Sequence, residues 1–211
     1  MLCAAERERY RRLLFDRDRR LFLVAHALVR RVLSRYAAVD PSAWRFSTGK
    51  HGRPEIAAPR LPATLRFNLS HTEGLAACVV TLESACGIDV EKIVERPRMM
   101  DIAARVFAGP EQQELHRLTG TPACRERFFA YWTLREAWCK ARGTGLAQAD
   151  RSVWFEPGPD AAVRMHGLAG REATAGWQAV LLRPATGYML ALALRDTGAT
   201  GKAVVCRFIE P

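Results

Sequence analysis

The sequence predicts an α+β fold built from two similar halves. Two long segments, residues 16–36 and 123–142, carry apolar side chains at helical spacing, and short extended segments separated by turns follow each of them. The glycine-led apolar segment 74–77 also has a counterpart at 187–190. This shared order indicates an internal duplication, and a site in the cleft between the halves is then expected.

The composition is that of a globular protein. The chain has 211 residues, of which 49% are hydrophobic and 26% are charged, which excludes a disordered or fibrous protein. We divide it into an N-terminal half, residues 1–98, and a C-terminal half, residues 99–211. The longest apolar run, 21–29, is far shorter than the ~18 residues that cross a bilayer, so no membrane association is expected. The six cysteines stand singly without a C-x-x-C pair, which predicts reduced thiols and a cytoplasmic location.

The elements of the two halves follow from periodicity and turn residues. In the first half, helix 16–36 is expected to end before Asp40-Pro41, and residues 49–54 form a turn. The predicted strands of this half are 44–47, 65–69, 75–82 and 87–91. In the second half, helices 111–118 and 123–142 precede the predicted strands 153–155, 163–165, 177–182 and 188–194.

The formal net charge of +10 favours an anionic partner. Nucleic acid, an acidic protein, a phosphorylated small molecule and a membrane surface all satisfy that condition. Arginines are concentrated in residues 7–35, where they interleave with apolar side chains. This segment is typical of a solvated helix face, and it also keeps a nucleic-acid-binding function open.

Two carboxylates form the first candidate site. Asp89 and Glu91 lie two residues apart in a predicted strand, so that both side chains face the same way. Paired carboxylates suit Mg²⁺, which takes one or two protein carboxylates together with waters and substrate phosphates. The alternative is a strand end with solvated acids.

The second long helix carries the next candidates. Trp132, Glu136 and Lys140 are spaced i, i+4 and i+8 and therefore share one face, with Arg135 beside them. A surface ion pair between Glu136 and Lys140 is the simpler interpretation of this segment alone. The basic turn at 49–54 and the Asn-Leu-Ser-His segment at 68–71 add cationic and polar groups, each of which is structural in most proteins when considered singly.

Taken in order, four motifs resemble those of the 4'-phosphopantetheinyl transferases of the Sfp-like class. They are Gly52-Arg53-Pro54, Asn68-Leu69-Ser70-His71, Gly87-Ile88-Asp89-Val90-Glu91, and Trp132-Thr133-Leu134-Arg135-Glu136-Ala137-Trp138-Cys139-Lys140 with Gly143, Gly145 and Leu146. The resemblance extends over about residues 16–195. It implies a pseudo-dimer in which each half is a long helix packed on a small antiparallel sheet.

The resemblance also implies an activity. Enzymes of this class transfer the 4'-phosphopantetheine arm of coenzyme A to a serine of an acyl or peptidyl carrier protein, require Mg²⁺ and release adenosine 3',5'-bisphosphate. The implied metal ligands are Asp89, Glu91 and Glu136, and the implied catalytic residues are Glu136, as the general base, and Lys140, near the pyrophosphate. The implied coenzyme A contacts are Arg53, His71, Lys140, Arg20, Gly52, Pro54 and Ser70.

The chain departs from the family pattern in three places. Arg53 and Arg135 stand where lysine is common, which keeps the charge but changes the contact geometry. The first long helix also begins near the start of the sequence, where family members usually have an opening strand. Either the first half is short of one strand or the start codon is misplaced, and we select Arg20 as the N-terminal phosphate-binding arginine.

Three functions therefore compete at this point. The ordered motifs favour a transferase that acts as a monomer, takes coenzyme A and an acidic carrier protein, and binds no nucleic acid. A nucleic-acid-binding module would use the arginine-rich helix but gains nothing from converging carboxylates. A Mg²⁺-dependent phosphodiester hydrolase would share the acids without a carrier protein. Fatty-acid, polyketide and nonribosomal peptide synthesis are equally compatible with the transferase.

Overall fold

The computed structural model describes residues 2–49, 52–146, 151–168, 170–196 and 204–207. The helices are α1 (Ala4–Arg11), α2 (Asp16–Leu33), α3 (Met99–Val106), α4 (Gly109–Arg117) and α5 (Pro122–Arg142). The strands are β1 (Arg45–Thr48), β2 (Pro54–Ala58), β3 (Leu65–Thr72), β4 (Leu75–Leu82), β5 (Cys86–Lys92), β6 (Val153–Pro157), β7 (Ala162–Gly167), β8 (Trp177–Leu182) and β9 (Tyr188–Arg195). Within these ranges, no helix is long and apolar enough to cross a bilayer.

The first half packs α2 against two antiparallel hairpins, β1–β2 and β3–β4. The apolar side of α2 meets the hairpins in a core that contains Val29, Leu33, Trp44 and Phe67. The Trp44 indole N–H donates to Ser34 Oγ at 2.8 Å, so this buried ring also satisfies its polar atom. The core fixes β3, the strand that faces the candidate site.

The second half is a five-stranded antiparallel sheet in the order β5-β9-β8-β7-β6, with α5 packed against it. Pro122 starts α5 at a position that needs no intrahelical N–H donor, and Gly143 ends it in the left-handed conformation at φ 68°. A Cβ on Gly87 would overlap the carbonyl oxygen of Ala137. Glycine at this position therefore allows α5 to lie close to β5, which brings the acids of β5 near the side chains of the helix.

The two halves meet along β3 and β5, where side chains replace a backbone ladder. The side-chain oxygens of Asn68, Ser70 and Thr72 accept hydrogen bonds from the backbone N–H groups of Ile88, Val90 and Lys92 at 2.9, 3.3 and 3.4 Å. We call these contacts the β3–β5 junction. They satisfy the outer edge of β5, whose inner edge pairs with β9, and they fix β5 relative to β3.

The fold class predicted from the sequence is confirmed, with differences in detail. Helix α2 ends at Leu33 rather than at residue 36, because Ser34 already serves as its C-cap. Helix α1, helix α3 and strand β2 were not expected. Residues 4–11 form a helix rather than an opening strand, since Glu6 accepts the N–H of Cys3 and Arg30 anchors the same carboxylate. The division at residue 98 remains a prediction, although β5 pairs with the sheet of the second half.

Candidate active site

Asp89 is the centre of the site. It lies on β5 at 4% exposure, and its Oδ1 accepts hydrogen bonds from Ser70 Oγ at 2.8 Å and from Lys140 Nζ at 2.7 Å. Within the part of the chain that the structure describes, its buried Oδ2 has no hydrogen-bond partner. One oxygen of this carboxylate is thus occupied, and the other has unused capacity for a donor or a cation.

The predicted face of α5 lies against these acids. Lys140 Nζ also contacts Ser70 Oγ at 3.1 Å, and the indole N–H of Trp132 donates to Glu91 Oε1 at 3.1 Å. Glu136 stands between Trp132 and Lys140 on the same face. The strand alternation and the i, i+4, i+8 spacing therefore bring these residues together as the sequence predicts.

The electrostatics of the acids show that they are close neighbours. Burial raises the pKa of Glu91, and the negative charge of Asp89 raises it further. Burial likewise raises the pKa of Glu136, followed by repulsion from Asp89 and Glu91, while Lys140 lowers it. A second cation at this point would relieve the remaining repulsion.

The residues present fit a magnesium ion. Among the described residues, no three acid, histidine or cysteine side chains are already arranged as a ligand set, and Lys140 occupies Oδ1 of Asp89. The free Oδ2 of Asp89 and the two mutually repelling glutamates nevertheless supply the hard oxygen donors that Mg²⁺ prefers.

Positively charged side chains surround His71, which adjoins the acids. Partial burial lowers the pKa of this histidine, and the positive charges of Lys140 and Arg9 lower it further, against a backbone hydrogen bond and Asp18. Arg9 of α1 is thus close enough to His71 to affect its pKa, and the sequence analysis did not single it out. No sequence signal separates Arg9 from the other arginines of residues 7–35, because its position depends on the docking of α1.

Helix α1 is held in place by a buried ion pair. The Glu6 carboxylate receives two hydrogen bonds from Arg30 Nη2, at 2.9 and 2.7 Å, and Arg30 is fully buried. His26 Nδ1 lies 3.0 Å from the same carboxylate. This anchor fixes α1, the helix that carries Arg9, against α2. Arg20 is exposed on α2 and stays a prediction.

The Gly52-Arg53-Pro54 segment borders the site from β2. The Arg53 guanidinium donates to the backbone carbonyls of Lys140 at 2.9 Å and Cys86 at 3.2 Å. Gly52 adopts φ 78°, and Pro54 opens β2. These contacts tie the end of α5 to the start of β5; their connection with coenzyme A stays a prediction. Residues 50 and 51 of the same turn lie outside the described residues.

Arg135 does not lie beside the catalytic face, contrary to expectation. It is fully buried on another side of α5, where it donates to Glu111 Oε2 at 2.5 Å and to the Val153 carbonyl at 2.9 Å. A residue one position from Glu136 points about 100° away around a helix. Two nitrogens of the planar guanidinium donate here in different directions, a geometry that the single ammonium nitrogen of lysine does not provide.

A site of acids and a lysine beside a basic region suggests an enzyme that handles a phosphorylated substrate. Residues 85–193 match the model of the 4'-phosphopantetheinyl transferase superfamily, and residues 1–83 match that of the 4'-phosphopantetheinyl transferase N-terminal region. The chain therefore belongs to the 4'-phosphopantetheinyl transferase superfamily.

Several characterised relatives agree with this assignment. The 4'-phosphopantetheinyl transferase psf-1 of Bacillus pumilus is 30% identical over 92% of this chain and 78% of its own length. HetI of Nostoc sp. (strain PCC 7120) is 33% identical over 71% of this chain and 62% of its own length. Sfp of Bacillus subtilis (strain 168) is 34% identical over 67% and 60%. The alignments with HetI and Sfp thus span about three fifths of those relatives.

A solved structure shows a partial likeness. The holo-[acyl-carrier-protein] synthase of Thermotoga maritima is 21% identical, with a TM-score of 0.40 over 53% of this chain and 62% of that chain.

Proposed function

We propose that this protein transfers the 4'-phosphopantetheine arm of coenzyme A to a serine of an apo acyl or peptidyl carrier protein, releasing adenosine 3',5'-bisphosphate. The observation that carries the proposal is the convergence of Asp89, Glu91 and Glu136 beside Lys140. Such an arrangement suits a metal-bound pyrophosphate, whereas acids without a metal repel phosphate groups. The named activity of the relatives supports the same reaction.

Magnesium is the proposed cofactor, with Asp89, Glu91 and Glu136 as its protein ligands. When bound, it supplies a Lewis acid that polarises phosphate oxygens. The unpartnered Oδ2 of Asp89 and the raised pKa values of both glutamates support this assignment. Binding a cation there lowers the cost of keeping three carboxylates ionised in a partly buried site.

Lys140 and Glu136 perform the proposed chemistry. The Lys140 ammonium stabilises the negative charge that develops on the pyrophosphate oxygens. Glu136 accepts the proton of the carrier serine as the serine oxygen forms its bond to the β-phosphorus, and the bond from that phosphorus to adenosine 3',5'-bisphosphate breaks. A carboxylate with a raised pKa is a better proton acceptor at neutral pH than an ordinary glutamate.

The remaining contacts position coenzyme A. Arg9 supplies a positive charge for the 3'-phosphate and His71 supplies a hydrogen-bond donor, because the lowered pKa of His71 favours its neutral form; Ser70 contacts both Asp89 and Lys140. Arg53 is proposed to contribute to coenzyme A binding through the backbone of the Gly52-Pro54 turn. Ser70 and His71 are adjacent on β3, so this strand connects the reacting phosphate with the proposed 3'-phosphate contact.

The proposed partner is an acidic carrier protein. The net charge of +10 attracts an acidic partner over long range, while the site itself is acidic. With coenzyme A saturating, we expect kcat/KM for the carrier to fall several-fold as ionic strength rises, because exposed charges are screened over ~8 Å at physiological salt. Two different neutral salts at matched ionic strength control for specific ion effects. A salt-independent value would contradict electrostatic steering.

The decisive experiment incubates the full chain with coenzyme A, Mg²⁺ and a panel of apo carrier proteins, and follows the intact mass of each carrier. We expect the addition of one phosphopantetheine group, abolished when the carrier serine is replaced by alanine. Release of adenosine 3',5'-bisphosphate without carrier modification would instead indicate a phosphodiester hydrolase. Tight salt-sensitive binding of nucleic acid with no reaction would indicate the binding-module alternative. A monomeric, cytoplasmic enzyme is part of the same proposal.

A further inference from the structure

A second basic cleft lies between the two halves. Its cavity has a volume of about 450 Å³. The residues that line it are Arg53, Arg66, Ala85, Ala141, Arg142, Ala173, Trp177 and Arg195. We infer that this arginine cleft binds a phosphate-type oxyanion and that the bound anion links the two halves of the fold.

The charge of the arginine cleft is the first argument. Arg53 and Arg66 come from the first half, whereas Arg142 and Arg195 come from the ends of α5 and β9 in the second half. Among the described residues that line it, four are arginines and none is an aspartate or glutamate. Arg66 and Arg195 bring guanidinium groups from both halves to one cleft, and a multiply charged anion between them would be attracted to both.

Two of the lining arginines, Arg66 and Arg195, retain donors. Arg195 lies over the Trp177 ring at 5.8 Å, and Arg142 lies over the Trp138 ring at 5.4 Å. In the described part of the chain, neither Arg66 nor Arg195 forms an ion pair or a side-chain hydrogen bond. Aromatic stacking preorganises a guanidinium without using its N–H groups, which match phosphate oxygens in a bidentate manner.

The arginine cleft is separate from the candidate active site. Its lining contains none of His71, Asp89, Glu136 and Lys140. Arg53 marks the boundary, because its guanidinium contacts the Lys140 carbonyl, while the Lys140 ammonium contacts Ser70 and Asp89. An anion in the cleft would therefore meet the backbone end of α5 rather than the metal-binding acids. The inference does not depend on the proposed function.

The size of the cavity indicates the class of ligand. At ~30 Å³ for one water in the liquid, a volume of about 450 Å³ holds a phosphate, a pyrophosphate or a phosphate monoester together with solvent. Bidentate contacts from both halves favour a tetrahedral oxyanion over a monovalent ion. Because such a ligand binds only when both halves are in place, it stabilises the folded chain by mass action.

The test uses inorganic pyrophosphate as the probe, with EDTA present and with coenzyme A saturating so that the candidate active site is occupied. Calorimetry on the full chain is expected to give one binding event per chain, and the midpoint of thermal unfolding is expected to rise with probe concentration. Arg66→Gln and Arg195→Gln are each expected to weaken binding about tenfold, and the double variant is expected to abolish it. Arg164→Gln is the matched control, since Arg164 is an exposed arginine on β7 outside the cleft.

Three results would overturn the inference: unchanged pyrophosphate binding in the double variant, equal weakening in Arg164→Gln, or complete displacement of the probe by coenzyme A. Circular dichroism and coenzyme A binding verify that the variants are folded. Carrier modification is measured in parallel and is expected to persist in Arg66→Gln and Arg195→Gln. If the enzyme without substitutions does not modify any carrier protein, the proposed function is refuted, while the result on pyrophosphate binding still stands.

Discussion

Helix α5 carries two cation–carboxylate pairs that differ in nearly every respect. On one side, Arg135 and Glu111 are both fully buried. Glu111 also accepts the backbone N–H groups of Ala108 and Phe155, so both of its oxygens are occupied. On the other side, Lys140 is 28% exposed, and its partner Asp89 retains an oxygen with no partner among the described residues.

The difference separates a pair that holds the fold from a pair that can act on a ligand. The Arg135–Glu111 pair connects α5 with the start of α4 and with β6, and both oxygens of its carboxylate accept hydrogen bonds. The Lys140–Asp89 pair leaves donors and acceptors that a metal ion or phosphate can take. Satisfied polar groups stabilise and specify a structure, whereas incompletely satisfied ones mark a site.

The largest effect on activity is expected for Asp89→Ala. It removes the central carboxylate, and kcat at saturating Mg²⁺ is expected to fall at least about a thousandfold, in the range of a lost electrostatic catalytic group. The free energy of unfolding is expected to change little, because Lys140 can still reach solvent. Asp89→Asn is the control variant, because it keeps the shape of the side chain and removes only its charge. Near-normal turnover of Asp89→Ala would show that the metal assignment is wrong.

The buried pair is expected to give the opposite division between activity and stability. Glu111→Gln removes the carboxylate charge that pairs with the buried Arg135, and breaking a buried pair in this way costs about 3–5 kcal/mol. Urea denaturation measures this loss, while kcat per folded molecule is expected to be retained. Arg135→Lys tests the geometry, because lysine cannot reach both Glu111 and the Val153 carbonyl. If kcat collapses while stability is unchanged, the two pairs have been assigned the wrong way round.

A smaller effect is expected at Arg9 and His71, the proposed contacts of the 3'-phosphate. Arg9→Ala and His71→Ala are each expected to raise the KM for coenzyme A about tenfold, equivalent to ~1.4 kcal/mol, with a smaller change in kcat. They remove contacts that ground state and transition state share. Arg20→Ala is the matched comparison on α2 and decides between the two arginines. If Arg20→Ala raises the KM for coenzyme A more than Arg9→Ala does, the 3'-phosphate contact belongs to Arg20.

The smallest expected effect is a gain in thermal stability, whereas the preceding substitutions lower activity, stability or coenzyme A affinity. The pKa of Glu136 is raised in the folded state by burial first and then by Asp89, so its ionised form opposes folding. This cost is absent below the unfolded-state pKa and reaches its full value above the folded-state pKa. Glu136→Gln is therefore expected to raise the thermal midpoint at neutral pH without metal, by less than ~4 °C, while turnover is lost. Scans at low and neutral pH test this, and a decrease at neutral pH would contradict it.

Much of the site follows from sequence periodicity. The alternation of Asp89 and Glu91 and the helical spacing of Glu136 and Lys140 depend only on local geometry, and they place these side chains correctly. Arg9 could not be found in this way, because its position depends on the Glu6–Arg30 ion pair between two helices. Arg135 was misplaced because charge suggested an exposed residue, whereas a partner 24 positions away makes its burial favourable.

The fold was predicted to a similar extent. Strands β4 and β8 have the predicted bounds, since continuous apolar runs between turn residues define them. Strand β2 was missed because its residues do not alternate clearly, and its pairing with β1 depends on the hairpin as a whole. The pairing of β5 with β9 joins residues about a hundred positions apart, which no local pattern encodes.

The β3–β5 junction has a consequence for solubility. An unpaired strand edge is a template on which other chains add, and β5 is the edge of the five-stranded sheet. Its outward N–H groups are already engaged by short polar side chains of β3, so a foreign strand has no free donors to pair with there. The first half thus acts as an intramolecular cover for the second. Residues 85–193 expressed alone would expose that edge and self-associate.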